Sequence, residues 1–188
     1  MTATGGRALA EVLVVAAVAW QRFREGHSLD RAIAAAVGSN TALRPAVLDD
    51  MGLLPAIRWY AEATLVDHGV EVAIDADPPP PRLPGHIEVA LFRIVQEAIT
   101  NVAKHADATH VRIAIEYEAP DVTITVEDDG RGFDVDRALA ATGPEAESVG
   151  LIGMQERVRL LDGQLEIHSI EGAGTRVRVR AQILEEAA

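Results

Sequence analysis

Cysteine is absent from this chain of 188 residues, and aromatic residues make up only 4% of it. Without cysteine there can be no disulfide bond, thiolate metal site or cysteine nucleophile, and a reducing compartment is the natural location. We therefore expect a cytoplasmic protein, or the cytoplasmic part of a larger, membrane-anchored one. Because 48% of the residues are nonetheless hydrophobic, the predicted core is aliphatic, and the length suits one domain with a helical appendage.

Positive charge is also scarce. The chain has 17 Lys and Arg against 29 Asp and Glu, which gives a net charge of −12. This balance argues against direct binding to a nucleic-acid backbone, which requires a positive surface, but it permits a small local anion site. The most apolar run, residues 8–20, is interrupted by Glu11 and is too short to span a bilayer. A buried helix is the favoured interpretation of this run, and a membrane remnant is the alternative.

The first third of the chain is predicted to be helical. Ala-rich runs at 8–25 and 29–43 are separated by a short turn, which predicts an antiparallel helical hairpin. A Pro-containing linker follows, and Pro55 suits the first turn of a further helix. We therefore predict a hairpin and linker over residues 1–68 and a second domain over residues 69–188.

The second domain is predicted to be an α+β two-layer sandwich, with helices on one face of a mainly antiparallel sheet. Apolar residues at helical spacing predict two helices, and alternation with period two predicts strands. The stretch between the helices, residues 130–150, is rich in Gly and Ala and has a weak structural signal. The predicted strands are 70–75, 109–117, 121–128, 164–169 and 174–183, and the predicted helices are 86–105 and 151–163.

Polar side chains recur every fourth residue along the first of these helices, at Arg93, Glu97, Asn101 and His105, with Lys104 beside the last. Such spacing places them on one stripe of the helix. A carboxylate and an amide oxygen one turn apart can both approach a hard cation, and the basic residues can donate to phosphate oxygens. Taken alone, the stripe is better explained as a solvated helix face.

Glycine-rich turns form a second group of motifs. The sequence DDGRGFD follows a predicted strand directly, and Gly130 and Gly132 would allow close approach of the backbone to a ligand. Asp128 offers an acceptor that could pair with an amine. Farther on, Gly150 and Gly153 are predicted to precede a helix whose N-terminal amides could face a phosphate. Each motif by itself could be an ordinary surface turn, as could GAGT at residues 172–175.

In this order, however, the motifs resemble the ATP-binding domain of the GHKL superfamily, over about residues 87–183. QEAITNVAKHADA is similar to the N-box, DDGRGF to the first glycine box, GLIGMQERV to the second, and GAGT to the last turn on the phosphate side. More narrowly, the chain resembles bacterial two-component histidine kinases. The resemblance implies the Bergerat fold, with ATP and Mg²⁺ as ligands and protein histidine kinase activity.

The resemblance also implies roles for individual residues. Asp128 would accept a hydrogen bond from the adenine amine, and Asn101 would bind Mg²⁺ with Glu97 nearby as a supporting or base-like carboxylate. These last two would be the catalytic residues. Residues 133–149 would form a mobile lid over ATP, hinged by Gly150 and Gly153. The implied ATP-binding residues are Asn101, Lys104, His105, Asp128, Gly130, Gly132, Gly150, Leu151, Gly153, Met154 and Thr175.

The linker sequence LRPAVLDDMGLLPAIRWYAE resembles that of the nitrate-sensor type of histidine kinase. The resemblance implies a response regulator with a LuxR-type DNA-binding domain as partner. It also implies that γ-phosphate is transferred to a His on a dimerisation helix. The apolar residues of the hairpin at 8–43 predict a homodimer through these helices.

A phosphoacceptor histidine cannot be identified in the sequence. In the family it is followed by an acidic residue, whereas no His in this chain is followed by Asp or Glu, and His27 falls at the predicted hairpin turn. The chain is then either truncated or a nucleotide-dependent interaction module that transfers no phosphate. An anti-sigma-factor serine kinase is a third alternative. The histidines at 68, 86, 110 and 168 are interpreted as ordinary surface residues at strand or loop positions.

Overall fold

The computed structural model describes residues 48, 52–140 and 148–183, all within one compact unit that begins at Val47. The predicted hairpin at 8–43, with His27, lies outside the described residues, and so does the 141–147 part of the predicted lid. No helix in the described ranges is both long enough and apolar enough to cross a membrane.

Helices and strands alternate irregularly along the described chain, as expected for an α+β fold. Helix α1 is followed by a 3₁₀ turn at Val66–His68, and helix α2 is followed by a π-helical turn at Val102–Ala106. The helices are α1 Leu53–Leu65, α2 Gly85–Asn101, α3 Val135–Ala140 and α4 Ser148–Arg159, and the strands are β1 Glu71–Asp75, β2 His110–Glu118, β3 Asp121–Asp128, β4 Gln164–Ser169 and β5 Thr175–Gln182.

The strands form a single sheet in the order β1-β2-β3-β5-β4. Strand β1 pairs parallel with β2, and every other pair is antiparallel. Alternate residues such as Ile113, Ile124 and Val179 are buried beneath the helices, while the opposite face carries charged side chains. The predicted two-layer α+β sandwich is therefore confirmed. The parallel pairing of β1 follows from its connection to β2 through α2, because such a crossover returns the chain in the same direction.

Helix α1 packs against α2. The ring of Tyr60 meets that of Phe92 edge-on at a centroid distance of 6.0 Å, and its hydroxyl lies 3.1 Å from Thr100 Oγ1. Pro55 occupies the first turn of α1, as predicted, where its missing N–H has no helical partner to lose. The predicted domain boundary after residue 68 stays a prediction, although α1 lies before it and packs within the same unit as α2.

Two predicted helices have the wrong limits. Helix α2 does not continue regularly to residue 105 but changes to the wider π-helical turn after Asn101. Helix α4 begins before residue 151, at Ser148, and ends at Arg159 rather than at Gly163. Gly150 and Gly153 therefore lie inside α4 and do not precede it. The Gly signal was misleading because glycine also occurs within helices where another part of the chain approaches closely.

Candidate functional site

A cleft opens between the end of α2, the end of β3, the start of β5 and the first residues of α4. It encloses about 680 Å³ of empty space, including its open mouth. Its walls are largely apolar, with a few polar groups among them, which is typical of small-molecule sites. The lining residues are Ala98, Asn101, Val102, His105, Ala106, Val126, Asp128, Arg131, Gly132, Phe133, Leu151, Ile167, Thr175 and Val177.

The cleft collects only some of the predicted site residues. Those that line it are Asn101, His105, Asp128, Gly132, Leu151 and Thr175. Those that do not are Glu97, Lys104, Gly130, Gly150, Gly153 and Met154. Lys104 is exposed beside the π-helical turn, and Met154 is fully buried in the core. None of the predicted roles is tested by this placement, and they remain predictions.

Asp128 is the half-buried carboxylate of the cleft and is the last residue of β3. Its Oδ1 accepts the backbone N–H of Gly130 at 2.9 Å, and the backbone N–H of Thr175 also points to this carboxylate. Burial raises the pKa of Asp128, and the two backbone donors offset part of that rise. A carboxylate held in this way has acceptor capacity left for a donor group of a ligand.

Residues 128–133, which we call the 128–133 loop, lie in direct contact with the main chain of other segments. A Cβ on Gly130 would lie 2.3 Å from the carbonyl oxygen of Ala106, and one on Gly132 would lie 2.0 Å from that of Ile170. Gly132 also has a φ of +60°, where only glycine is at ease. These glycines were predicted to let the backbone approach a ligand. The structure shows each of them in close contact with another part of the protein, and their role toward a ligand stays a prediction.

Ser169 holds the far end of this loop, and no local sequence pattern indicated it. Its Oγ accepts the backbone N–H of Phe133 at 2.8 Å, donates to the carbonyl of Gly174 at 3.2 Å and lies 2.9 Å from Thr175 Oγ1. The hydroxyl of Ser169 therefore ties the loop to the start of β5. Only the pairing of β4 with β5 brings these residues together, so local sequence could not reveal it.

On the helical side of the cleft, one residue of the predicted polar stripe is buried. Arg93 is only 7% exposed, and its Nη1 donates to Gln96 Oε1 at 2.6 Å. Burial and the nearby Arg157 lower the pKa of Arg93. Arg93 therefore belongs to the packing around α2, and the prediction that it shares an exposed stripe is wrong. A spacing of four places residues on one side of a helix but does not say what covers each turn.

Glu97 faces α4. A Cβ on Gly150 would lie only 2.1 Å from Glu97 Oε1, so the missing side chain of Gly150 makes room for this carboxylate. The predicted hinge role of Gly150 stays a prediction. For Gly153 the nearest atom is Nη1 of Arg157, at 2.9 Å from a Cβ built there. Both glycines thus allow side chains to lie close to α4.

Arg131 and Phe133 line the cleft but were not singled out from the sequence. Both stand within the quoted motif DDGRGF, so their proximity to the other motif residues was the available signal. Arg131 Nη1 lies 3.9 Å from Asp107 Oδ2, and 59% of its side chain is exposed. The apolar wall residues Val126 and Val177 follow from strand alternation, because they lie on the same sheet face as Asp128.

Among the described residues, no group of three or more His, Asp or Glu side chains is placed to hold a metal ion. The oxygen-bearing side chains near the cleft, Asn101 and Glu97, suit a cation that a phosphate ligand would share. Mg²⁺ in particular takes few protein oxygens and completes its shell with water and substrate phosphates. These residues fit a magnesium nucleotide better than a metal held by the protein alone.

This fold and cleft place the chain in a defined class. Residues 86–185 match the family described as "Histidine kinase-, DNA gyrase B-, and HSP90-like ATPase", and the chain belongs to that family. The GHKL resemblance is therefore confirmed.

Curated relatives narrow the class. The chain is 39% identical over 144 residues to "Signal transduction histidine-protein kinase/phosphatase DegS" of Brevibacillus brevis, and 35% identical over 143 residues to the protein of the same name from Bacillus subtilis (strain 168). The matches cover 77% and 74% of this chain but only 36% of each relative. The resemblance to histidine kinases is thus confirmed, while the nitrate-sensor subtype stays a prediction.

Solved structures agree in fold. The histidine kinase domain from the blue-light activated histidine kinase of Erythrobacter litoralis EL346 matches with a TM-score of 0.60 at 20% identity, covering 95% of this chain and 94% of its own. Full-length ShkA, solved in complex with AMPPNP, matches with a TM-score of 0.59 at 22% identity, covering 85% of this chain and 35% of its own. At these identities the likeness concerns the fold alone.

Proposed function

We propose that this chain binds ATP in the cleft and acts as the catalytic region of a histidine kinase. It would transfer the γ-phosphate to a His on a dimerisation helix, for relay to a response regulator. The observation that carries the proposal is the half-buried carboxylate of Asp128 among apolar walls, in the same cleft as Asn101 and His105. The names of the curated relatives support it.

The cleft supplies what an adenine nucleotide requires. Asp128 would accept a hydrogen bond from the exocyclic amine, and its partial burial strengthens that bond by excluding competing water. The flat base would lie against the apolar side chains, among them Val102 and Leu151. His105, with the exposed Lys104 next to it, would contact phosphate oxygens. Phosphoryl transfer depends mainly on positioning and charge neutralisation, which such a site can provide.

Asn101 would hold Mg²⁺ together with the nucleotide phosphates, and Glu97 would act beside it as a supporting carboxylate or base. The bound ion would neutralise charge on the transferred group. In this proposal Glu97 is kept in place by its fit against Gly150 rather than by a polar partner. Glu97→Gln should then lower the rate of transfer more than it lowers nucleotide affinity, since the side chain does not line the cleft.

The finer parts of the proposal concern the rest of the protein. Residues 1–68 would serve as dimerisation hairpin and linker, residues 69–188 as the ATP-binding domain, and the helices at 8–43 as the homodimer interface. The partner would be a response regulator with a LuxR-type DNA-binding domain, in the cytoplasm. The linker sequence supports this subtype, and the relatives, being signal transduction histidine kinases by name, are compatible with it.

Nucleotide binding is the first test. Isothermal titration with Mg·ATP should show one site per chain, which Asp128→Asn abolishes. The matched control is Asp121→Asn, at the other end of the same strand, where the carboxylate pairs with Arg180 at 2.7 Å. This control should bind ATP like the parent chain. Equal binding by both variants would contradict the assignment of the cleft.

Transfer is the second test. With γ-labelled ATP and a supplied dimerisation helix, acid-labile label should appear on that helix and disappear with Asp128→Asn. Acid-labile label on this chain alone would identify one of its own histidines as acceptor and would contradict our reading of His27. Binding without transfer to any acceptor would instead favour a nucleotide-dependent interaction module.

A further inference from the structure

The second aspartate of the motif, Asp129, is held more tightly than its exposed position suggests. Its Oδ1 accepts the backbone N–H of Thr109 at 2.7 Å and that of His110 at 2.8 Å. Its Oδ2 accepts the hydroxyl of Thr109 at 2.6 Å and faces Nδ1 of His110 at 2.8 Å. Both carboxylate oxygens are thus engaged by one short segment at the start of β2.

These contacts join the 128–133 loop to the segment that links α2 with β2. The Asp129 carboxylate itself makes the first of these contacts. Two residues later, the backbone N–H of Arg131 donates to the carbonyl of Ala106 at 2.7 Å. Gly130 lies in close contact with the same carbonyl. The residue next to Asp129 is Asp128, so its position in the cleft depends on how this segment holds the loop.

The ring of His110 lies between two carboxylates on neighbouring parts of the sheet. Its Nδ1 faces Asp129, and its Nε2 lies 3.6 Å from Oε2 of Glu71 on β1. The hydrogen bond to Asp129 is the main cause that raises the pKa of His110, and the contacts from Thr109 and His110 hold the pKa of Asp129 well below its usual range. His110 is a surface residue, as predicted from the sequence, but its side chain also contacts Asp129 and Glu71, which come from other parts of the fold.

We propose that Asp129, bound by Thr109 and His110, is a positioning group that sets the 128–133 loop for nucleotide binding. This inference rests on the proposed function of the cleft. In this proposal neither Asp129 nor His110 contacts the nucleotide. They act through Asp128, whose carboxylate is useful only if the loop holds it at the end of the cleft.

A dependence on pH follows from the charge of His110. A raised pKa means that the charged imidazole favours the ordered loop, and this contribution is complete below the ordinary imidazole range near pH 6.5. It is lost as pH rises through the raised pKa of His110. Nucleotide affinity should therefore fall by about twofold to fivefold across that range, the effect expected of an exposed ion pair.

The experiment measures the Kd for Mg·ADP by titration calorimetry between pH 6 and 9 for the parent chain, Asp129→Asn, His110→Gln and the double variant. Each variant's Kd is divided by that of the parent at the same pH, which cancels titration of the nucleotide itself. We expect Asp129→Asn and His110→Gln each to bind about twofold to fivefold more weakly at pH 6. The ratio for His110→Gln should fall toward one at pH 9. The ratio for Asp129→Asn should fall less and stay above one, because its contacts with the Thr109 hydroxyl and the two backbone N–H groups do not depend on the charge of His110. The double variant should be no weaker than Asp129→Asn alone, because both changes break the same contact.

Asp75→Asn is the matched control. It breaks the 2.8 Å ion pair with Arg112, which joins the same two strands at the other end of β1. A merely structural role of such pairs would change thermal stability in all variants and leave Kd alone. Unchanged Kd in Asp129→Asn and His110→Gln, or equal weakening by Asp75→Asn, would overturn the proposal.

The outcome also separates this inference from the proposed function. If the parent chain binds ADP, Asp128→Asn does not and Asp129→Asn binds normally, the cleft is correctly assigned and only the positioning role fails. If Asp128→Asn binds as the parent does, the proposed function and the positioning role both fail, because Asp129 is proposed to act through Asp128. Independent of binding, the ¹⁵N-edited spectrum of the imidazole should report the raised pKa of His110 and its loss in Asp129→Asn.

Discussion

Glycines on two sides of the same cleft have different neighbours. In the 128–133 loop, a Cβ on Gly130 or Gly132 would meet backbone carbonyls, at 2.3 and 2.0 Å. In α4, a Cβ on Gly150 or Gly153 would meet the ends of side chains, at 2.1 and 2.9 Å. A carbonyl within the fold cannot move without its neighbours, whereas a side chain can change rotamer. The loop side of the cleft is thus determined by backbone packing, and the α4 side is adjustable.

Gly132→Ala, on the loop side of the cleft, should cause the largest loss of stability. The substitution combines a left-handed φ of +60° with a contact of 2.0 Å to a carbonyl, so we expect a loss of at least about 3 kcal/mol in the free energy of unfolding. Urea denaturation followed by circular dichroism would measure it. Gly172→Ala is the matched control, because its φ is +81° but nothing lies within 4 Å. The control should lose only about 1–2 kcal/mol, and equal losses would show that backbone packing contributes nothing.

Gly150→Ala should have an intermediate effect. The new methyl group would displace the carboxylate of Glu97, which costs more than the roughly 1 kcal/mol that alanine gains in a helix. We expect a net loss of about 1 kcal/mol in unfolding free energy. In the background of Glu97→Ala the same substitution should become neutral or stabilising, since the opposing side chain is gone. A loss of the same size in both backgrounds would mean that Glu97 is not the obstacle.

Asp128→Asn should separate stability from function. Because burial raises the pKa of Asp128, the ionised carboxylate opposes folding, and this cost appears as pH rises from about 4 through the raised pKa. At pH 8 the variant should be as stable as the parent chain or slightly more stable, by less than about 1 kcal/mol because solvent screens this half-buried group, and the difference should vanish below pH 4. Thermal melts with and without Mg·ATP would show the gain in stability together with loss of the stabilisation by nucleotide. A variant that is less stable at pH 8 would contradict this account.

Gly153→Ala should have the smallest effect and the opposite sign. Only the mobile end of Arg157 lies near the added methyl group, and alanine favours a helix by up to about 1 kcal/mol over glycine. We expect a small gain in the melting temperature. A marked loss of stability would indicate that α4 is packed as rigidly as the loop, which would remove the distinction between the two sides.

Local patterns in the sequence were sufficient for most of the fold. The alternation in β2 and β3 predicted their pairing, and the linker proline predicted the start of α1, because both signals act over a few residues. Asp128 of the motif DDGRGF lines the cleft, and its role toward a ligand stays a prediction. What the sequence could not show depends on contacts between distant segments. Arg93 is buried by neighbours from other elements, and Ser169 and His110 find their partners only when the sheet is assembled.

The π-helical turn at Val102–Ala106 has a consequence for how the chain length can vary here. A π turn accommodates one residue more than an α-helical turn, and it occurs often at functional sites. A chain shortened by Ala103 should therefore still connect α2 to β2, with a regular helix in place of the wide turn. The fold would tolerate this deletion, but a different side chain would occupy the place of His105 in the cleft. Insertions and deletions at this point would thus change the chemistry of the site before they change its architecture.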